Sequence, residues 1–200
     1  RPSLRVLLYH KPSGEMVRSR EGDDRAAIEA RLPTLRGGRW LPVNALAFGE
    51  DGLLVLSNDG TLASAIAQRV GPLPVEYRVR VLRPPEEQDW PELPLQIELD
   101  GELVEFSAVE RVDGTGANFW FRVAAERPPR RGAIRALFDA AGLKVSRVML
   151  VRWGAVALPR DLPRGRSREL SGADLDALLD LAGRRPERRA KSTARRSAGR

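Results

Sequence analysis

The sequence has no cysteine and a single histidine, His10, among its 200 residues. Without cysteine the chain can form neither a disulfide framework nor a thiolate metal site. One histidine cannot supply a site built from several imidazole ligands. We therefore expect neither kind of metal site, and the chain is also expected to use no cofactor.

Long apolar runs are missing as well. A membrane-spanning helix needs about 20 apolar residues in succession, and no segment approaches that length. There is also no cationic-then-apolar leader of the secretory type. Hydrophobic residues make up 42% of the chain and charged residues 30%, a balance typical of a globular protein with a core. These features predict a cytoplasmic protein with no membrane partner.

The excess positive charge lies at one end of the chain. The net charge is +7, and residues 184–200 alone hold eight basic residues and one acidic residue. This tail has no large apolar residue, so it cannot offset its chain entropy by burial, and we predict that it is disordered. The rest, residues 1–183, has balanced charge and forms the predicted domain. The tail fits either contact with a polyanion such as RNA or a solubility segment.

Hydrophobic patterns along residues 1–183 alternate between the periods of strands and helices. Strands are expected at 4–9, around 53–57, through 77–81, through 104–112 and 119–123, and at 145–153, the last of them central because it is apolar on both faces. Helices are expected from Asp23 or Asp24 to Leu32, through 62–69, through 134–141, and behind a Ser171–Asp174 capping box. Meandering strands with helices on one face indicate the α+β class.

The stretch from residue 43 to residue 60 is the most informative. It ends in Leu53-Leu54-Val55-Leu56-Ser57-Asn58-Asp59-Gly60, preceded by Asn44-Ala45-Leu46-Ala47. The stretch resembles the active-site motif of the RsuA-like ribosomal RNA pseudouridine synthases, which reads Gly-Arg-Leu-Asp, a short turn, a Leu-rich strand and an Asn/Thr-Asp-Gly turn. Here the strand and the last turn are kept, whereas the Gly-Arg-Leu-Asp box is changed at three of four positions.

The resemblance covers roughly residues 4–181 and implies the fold of that family. This is a mixed, mostly antiparallel sheet in two halves, with flanking helices and a central cleft. The S4 domain that usually precedes it in the family is not found in these residues. The resemblance also implies RNA as the partner, ribosomal RNA or pre-ribosomal particles, and we expect a monomer.

In the family an aspartate of the box attacks the nucleoside of a flipped-out uridine, and the base then rejoins the ribose through carbon. Ala47 occupies the position of that aspartate, and Ala45 replaces the neighbouring arginine. A methyl group cannot act as a nucleophile, so we predict an inactive member of the family, a pseudoenzyme. Glu50 and Asp51 are the possible substitute carboxylates, three and four residues further on.

Further positions carry the resemblance into the cleft and its RNA contacts. Tyr77 corresponds to the tyrosine that packs beside the uracil, and Ile134 with Arg135 matches part of the family's Asn-Arg-x-Val/Ile-Arg-Arg motif. Arg131, Gly132 and Ala136 depart from that motif, but basic residues at the start of a helix still favour a phosphate contact. The expected RNA-binding residues are Lys11, Arg127, Arg130, Arg131, Arg135, Arg164 and Arg166.

Three functions remain open at the level of sequence. The first is an RNA-binding protein of the pseudouridine synthase fold that has lost catalysis and acts in ribosome assembly or RNA recognition. The second is an active uridine-to-pseudouridine isomerase that uses Asp51 or Glu50. The third is a protein-interaction module that retains only the fold, which the balanced charge of residues 1–183 allows.

Overall fold

The structure is a computed structural model that describes residues 3–18, 27–83 and 89–184. These residues form strands, α-helices and one short 3-10 helix, in chain order. The strands are β1 (Val6–Lys11), β2 (Leu41–Pro42), β3 (Asp51–Ser57), β4 (Val75–Leu82), β5 (Gln96–Leu99), β6 (Glu102–Glu105), β7 (Ala108–Thr115), β8 (Asn118–Ala125), β9 (Lys144–Trp153), β10 (Val156–Ala157) and β11 (Ser167–Glu169). The helices are α1 (Gly60–Ala67), α2 (Ala133–Ala140) and α3 (Gly172–Leu181), and the 3-10 helix is Ile28–Arg31.

One large sheet organises the fold, with strand order β11-β1-β3-β9-β4-β8-β7. Neighbouring strands are antiparallel except for β3 and β9, which are parallel and pair only through Asp51 with Met149 and Gly52 with Leu150. Strands β2 and β10 attach to β3 and β9, and β5 with β6 forms a separate hairpin. The predicted α+β class and mixed, mostly antiparallel sheet are confirmed, and the short parallel contact joins its two halves.

Strand and helix patterns explain where the core lies. Strand β4 alternates buried and half-buried residues, as its period of two predicts, whereas all seven residues of β3 are buried. Helix α2 buries Ala133, Ile134, Leu137 and Phe138. It lies between Gly132 and Gly142, whose φ angles of 85° and 72° are left-handed, a conformation that glycine adopts without steric cost.

Several sequence expectations differ from the observed elements. The single strand expected through 104–112 is two strands, because the chain changes partners at Phe106 and Ser107, whose N–H groups bond to Leu95 O and Ala124 O. Strand β1 continues to Lys11. Ser171 does precede α3, but its side chain makes no capping hydrogen bond, so the predicted capping box is wrong.

Two expectations concern residues outside the described ranges: the Asp23 or Asp24 helix cap and the disordered state of the tail after Arg184. Among the residues that are described, no helix has the length and apolar character required to cross a membrane.

Candidate active-site cleft

A cleft of about 800 Å³ lies where the two halves of the sheet meet. Its lining includes buried apolar side chains from several elements and exposed arginines, with Glu50 as the one acidic residue among the described lining residues. The buried lining residues include Val43, Leu46, Ile66, Tyr77, Ile134, Leu150 and Trp153. The exposed arginines are Arg69, Arg127, Arg130, Arg131 and Arg135. An apolar base with a cationic rim suits a ligand that has a flat apolar part and negative charge.

The loop before β3 forms one wall of the cleft and is held in place by its own hydrogen bonds. Asn44 Nδ2 donates to Leu53 O at 3.0 Å, and Asn44 Oδ1 accepts from Val55 N at 2.7 Å. At the other end of the loop, Glu50 Oε2 accepts from Ala47 N at 2.9 Å. The methyl group of Ala47 therefore lines the cleft, next to a Glu50 carboxylate that already accepts a hydrogen bond from the loop.

Lys11 lies behind this loop and is not an RNA contact, which corrects the sequence expectation. Its side chain is 0% exposed, and Nζ donates to the carbonyl oxygens of Pro12, Phe48 and Glu50 at 3.0, 3.3 and 2.8 Å. Burial lowers the pKa of Lys11 from its usual 10.5, against the opposing effect of nearby carboxylates. The lysine stabilises the motif loop from within.

Of the two substitute carboxylates, only Glu50 lines the cleft. Asp51 is 2% exposed and is absent from the cleft lining. Its Oδ2 lies 2.6 Å from Arg147 Nε, in an ion pair between the start of β3 and β9. Asp51 Oδ1 has no hydrogen-bond partner within the described ranges. A buried, paired carboxylate outside the cavity is poorly placed to attack a nucleoside that enters the cleft.

Tyr77 of β4 and Ile134 of α2 both line the cleft. Burial, reinforced by the negative charge of Glu50, raises the pKa of the Tyr77 phenol well above its ordinary value of 10. The phenol is therefore neutral at physiological pH. Tyr77 offers an aromatic surface and a hydroxyl donor, not a phenolate.

The predicted arginines divide into two groups. Arg127, Arg130, Arg131 and Arg135 line the cleft, whereas Arg164 and Arg166 lie in the exposed loop before β11 and do not. Arg130 is partly neutralised, because it pairs with Asp100 and Glu102 of the β5–β6 hairpin at 3.2 and 3.1 Å. Arg135 donates to Val145 O at 3.2 Å. In the described part of the chain, the guanidinium groups of Arg127 and Arg131 have no recorded partner, so they are the ones most available to a ligand.

Comparison with known proteins agrees with this geometry, although no family model matches the sequence. A protein of Xanthomonas campestris pv. campestris is 38% identical over 181 residues, which cover 88% of this chain and 37% of that protein. A protein of Salmonella typhi is 35% identical over 187 residues, which cover 94% of this chain and 64% of that protein. Both are named ribosomal large subunit pseudouridine synthase B.

This chain is a homologue of the RsuA-type pseudouridine synthases. It spans between about a third and two thirds of the length of these two relatives. Among solved structures, a crystal structure of pseudouridylate synthase superposes with a TM-score of 0.67 at 22% identity, covering 88% of this chain and 74% of that one. An H/ACA RNP bound to a substrate RNA containing 2'-deoxyuridine gives a TM-score of 0.55 at 18% identity, covering 80% of this chain and 50% of that one. The expected pseudouridine synthase fold is confirmed.

Several cleft residues of this pseudouridine synthase homologue were not predicted as site residues, among them Arg69, Leu150 and Trp153. Arg69 follows α1, and the helical spacing of residues 62–69 gave no reason to place it at a cleft. Leu150 and Trp153 belong to β9, where their apolar character indicates core and no more. No cluster of three or more possible metal ligands occurs among the described residues.

Proposed function

We propose that this homologue binds ribosomal RNA in the arginine-rimmed cleft without converting uridine to pseudouridine. The observation that carries the proposal is a cleft with an apolar base and an arginine rim, and with Ala47 in its lining. The resemblance of residues 44–47 to the family's Gly-Arg-Leu-Asp box gives Ala47 the position of the attacking aspartate, which supports the loss of catalysis. The RNA target follows from the names of the relatives, ribosomal large subunit pseudouridine synthase B.

In the proposed binding mode, phosphates of the RNA contact the rim and one base enters the cleft. Guanidinium groups bind phosphate oxygens in paired hydrogen bonds, and Arg127 and Arg131 are the rim arginines available for them. A base removed from its stack needs a new aromatic or apolar surface, which Tyr77 and Leu150 offer. The protein, a monomer in the cytoplasm, then acts by recognising RNA during ribosome assembly.

Catalysis fails at the first bond-making step in this proposal. Attack on the nucleoside requires a carboxylate within bonding reach. Glu50 is the carboxylate at the cleft, and one of its oxygens is already bonded to Ala47 N. An active isomerase that uses Glu50 is the second candidate function, because this residue alone among the acids lines the described cleft.

The test is pseudouridine formation on unmodified ribosomal RNA. We expect no product from this protein, and none from Glu50→Gln or Asp51→Asn, which keep the shape of each side chain. Product from the parent that disappears in Glu50→Gln but persists in Asp51→Asn would overturn the proposal and identify Glu50 as the nucleophile.

The same assay applied to the double variant Ala45→Arg with Ala47→Asp asks whether the cleft still positions a uridine. Product from the double variant and none from the parent would show that the box alone is missing. RNA binding measured in parallel separates the proposal from a pure protein-interaction module, for which ribosomal RNA would bind no better than any polyanion.

A further inference from the structure

A second cavity, of about 400 Å³, lies on the opposite face of the sheet from the cleft. Tyr77 and Leu150 line the cleft, whereas their strand neighbours Glu76, Arg78 and Met149 line this second cavity. Successive side chains of a strand point to opposite faces, so β4 and β9 separate the two cavities. A ligand bound in the second cavity therefore occupies a site separate from the cleft.

The charge of this cavity is positive. Its described lining contains Arg78, Arg152 and Arg160, against Glu76 as the one acidic residue. The Glu76 carboxylate is already held by Arg122 Nε at 3.0 Å and, more weakly, by Arg78 Nη2 at 3.6 Å. Arg152 and Arg160 are exposed, and neither guanidinium has a recorded partner in the described part of the chain. Two guanidinium groups therefore remain available.

His10 stands in the wall of the same cavity and has an unsatisfied nitrogen. Its Nδ1 lies 2.8 Å from Leu162 O, and because a carbonyl oxygen only accepts, Nδ1 carries a proton and donates. The other ring nitrogen, Nε2, is buried and has no hydrogen-bond partner among the described residues. Buried polar nitrogens are normally paired, so this one indicates a partner that the protein chain does not supply.

We propose that this cavity, which we name the reverse-face pocket (His10, Arg78, Arg152, Arg160 and Leu162 among its lining), binds a phosphate group. The planar guanidinium matches the oxygens of a phosphate in geometry and charge. When Nε2 of His10 carries a proton as well as Nδ1, it donates to an oxygen of the bound phosphate. The lining also includes the apolar side chains of Met149 and Leu158, and the attraction between opposite charges is stronger beside apolar groups than in open water.

The phosphate can belong to an RNA backbone or to a small phosphorylated molecule, since both present the same oxygens. The proposal does not rest on the proposed function of the cleft, because the two sites lie on opposite faces.

His10 provides the test, because it is the only histidine of the chain and its imidazole Hε1 signal in the NMR spectrum needs no assignment. Inorganic phosphate is titrated at fixed pH, with sodium chloride holding the ionic strength constant. We expect a saturable shift of this signal. The variant Arg152→Gln with Arg160→Gln removes two charge-assisted contacts at exposed positions and should weaken binding about tenfold or more. The matched variant Arg127→Gln with Arg131→Gln, at the cleft, should leave the titration unchanged.

A shift that does not saturate, or that is equal in the Arg152/Arg160 variant and the parent, would overturn the reverse-face pocket as a phosphate site. A single-stranded RNA hexanucleotide without terminal phosphates then identifies the source. Saturation of the same signal by this RNA, weakened in the same variant, assigns the site to backbone phosphate. Saturation by inorganic phosphate alone assigns it to a free or terminal phosphate.

Discussion

At the scale of single residues, the motif loop depends on one buried cation. Lys11 bonds three carbonyl oxygens, two of them in the loop that presents Ala47. Without this donor the carbonyls would lie in the interior with no partner, and each unsatisfied group costs about 1–3 kcal/mol. Part of that loss is offset, because the desolvated charge disappears with the lysine.

We expect Lys11→Met to lower the free energy of unfolding by about 2 kcal/mol, measured by urea denaturation. Lys144→Met is the matched control, since Lys144 is exposed on β9, and it should change stability by less than about 0.5 kcal/mol. Equal effects of the two substitutions would contradict the structural role assigned to Lys11.

Lys11 and Asp51 also show why residue roles were hard to predict. A lysine is almost always at the surface, and the resemblance added an RNA role for Lys11. Its actual partners include residues 37 and 39 positions away. Asp51 is paired with Arg147, 96 positions away. No local pattern encodes such contacts, because they depend on how the strands are ordered in the sheet.

At the scale of elements, the parallel contact between β3 and β9 joins the two halves of the sheet through only two residue pairs. It depends on Gly52, whose φ of 110° is left-handed and whose added Cβ would lie 2.2 Å from Leu150 O. Both the backbone conformation and the lack of space require glycine here. The order of the two halves, and with it the cleft, follows from this close approach.

Gly52→Ala should therefore lower the free energy of unfolding by about 2–5 kcal/mol, from backbone strain and overpacking together. Gly49→Ala is the control in the same loop region, because its Cβ would meet nothing within 4 Å and its φ is not left-handed. Thermal unfolding of both variants checks the prediction, which fails if they melt at the same temperature.

Asp59, the residue that caps the start of helix α1, also forms an ion pair with Arg184. Asp59 accepts from Thr61 N at 2.8 Å, and its Oδ2 lies 2.6 Å from Arg184 Nη1. Hydrogen bonds from Thr61 and Arg184 lower the pKa of Asp59 from 3.8 to about 2. A carboxyl group with a lowered folded-state pKa adds stability that is complete above pH 4 and is lost as the pH falls towards 2.

Asp59→Asn keeps an acceptor for Thr61 N but removes the charge that Arg184 and the helix dipole favour. We expect it to be about 1 kcal/mol less stable than the parent at pH 7, with the difference shrinking between pH 4 and pH 2. Asp139→Asn, at an exposed site on α2, removes one carboxylate elsewhere in the chain and serves as the matched control. Denaturation at a series of pH values measures both, and a constant difference across that range would rule out the charge as the cause.

At the scale of the whole molecule, periodicity and turn chemistry predicted most elements but not their assembly. Strand β4 follows from an alternating pattern, and helix α1 follows from the helical spacing of residues 62–69 behind the Asp59-Gly60 turn. The break at Phe106 does not, because the alternation of apolar residues continues across it while the pairing partner changes from β5 to β8. Likewise, the cleft was expected from the resemblance. That Arg127 and Arg131 line it whereas Arg164 and Arg166 do not could be deduced only from the order of the strands in the sheet.

The net charge of the whole molecule does not indicate where RNA binds. Residues 185–200 carry seven basic residues and one acidic residue, so the tail alone could produce salt-sensitive RNA binding. The cleft lining carries five arginines and one glutamate. If the cleft is the site, removing its arginines must weaken binding more than removing the same charge elsewhere.

We expect Arg127→Gln with Arg131→Gln to weaken ribosomal RNA binding about tenfold or more and to reduce the slope of log K against log salt by about 1.5, since each lost phosphate contact contributes about 0.7–0.9. Arg36→Gln with Arg39→Gln removes the same charge from exposed positions outside the cleft and should change the slope far less. A chain that ends at Arg184 separates the contribution of the tail from that of the cleft. We expect it to bind RNA more weakly than the full chain, with the Arg127/Arg131 variant still weaker than the Arg36/Arg39 variant. If the two double variants bind RNA equally in the shortened chain, RNA binding belongs to the tail, and the cleft binds a different ligand.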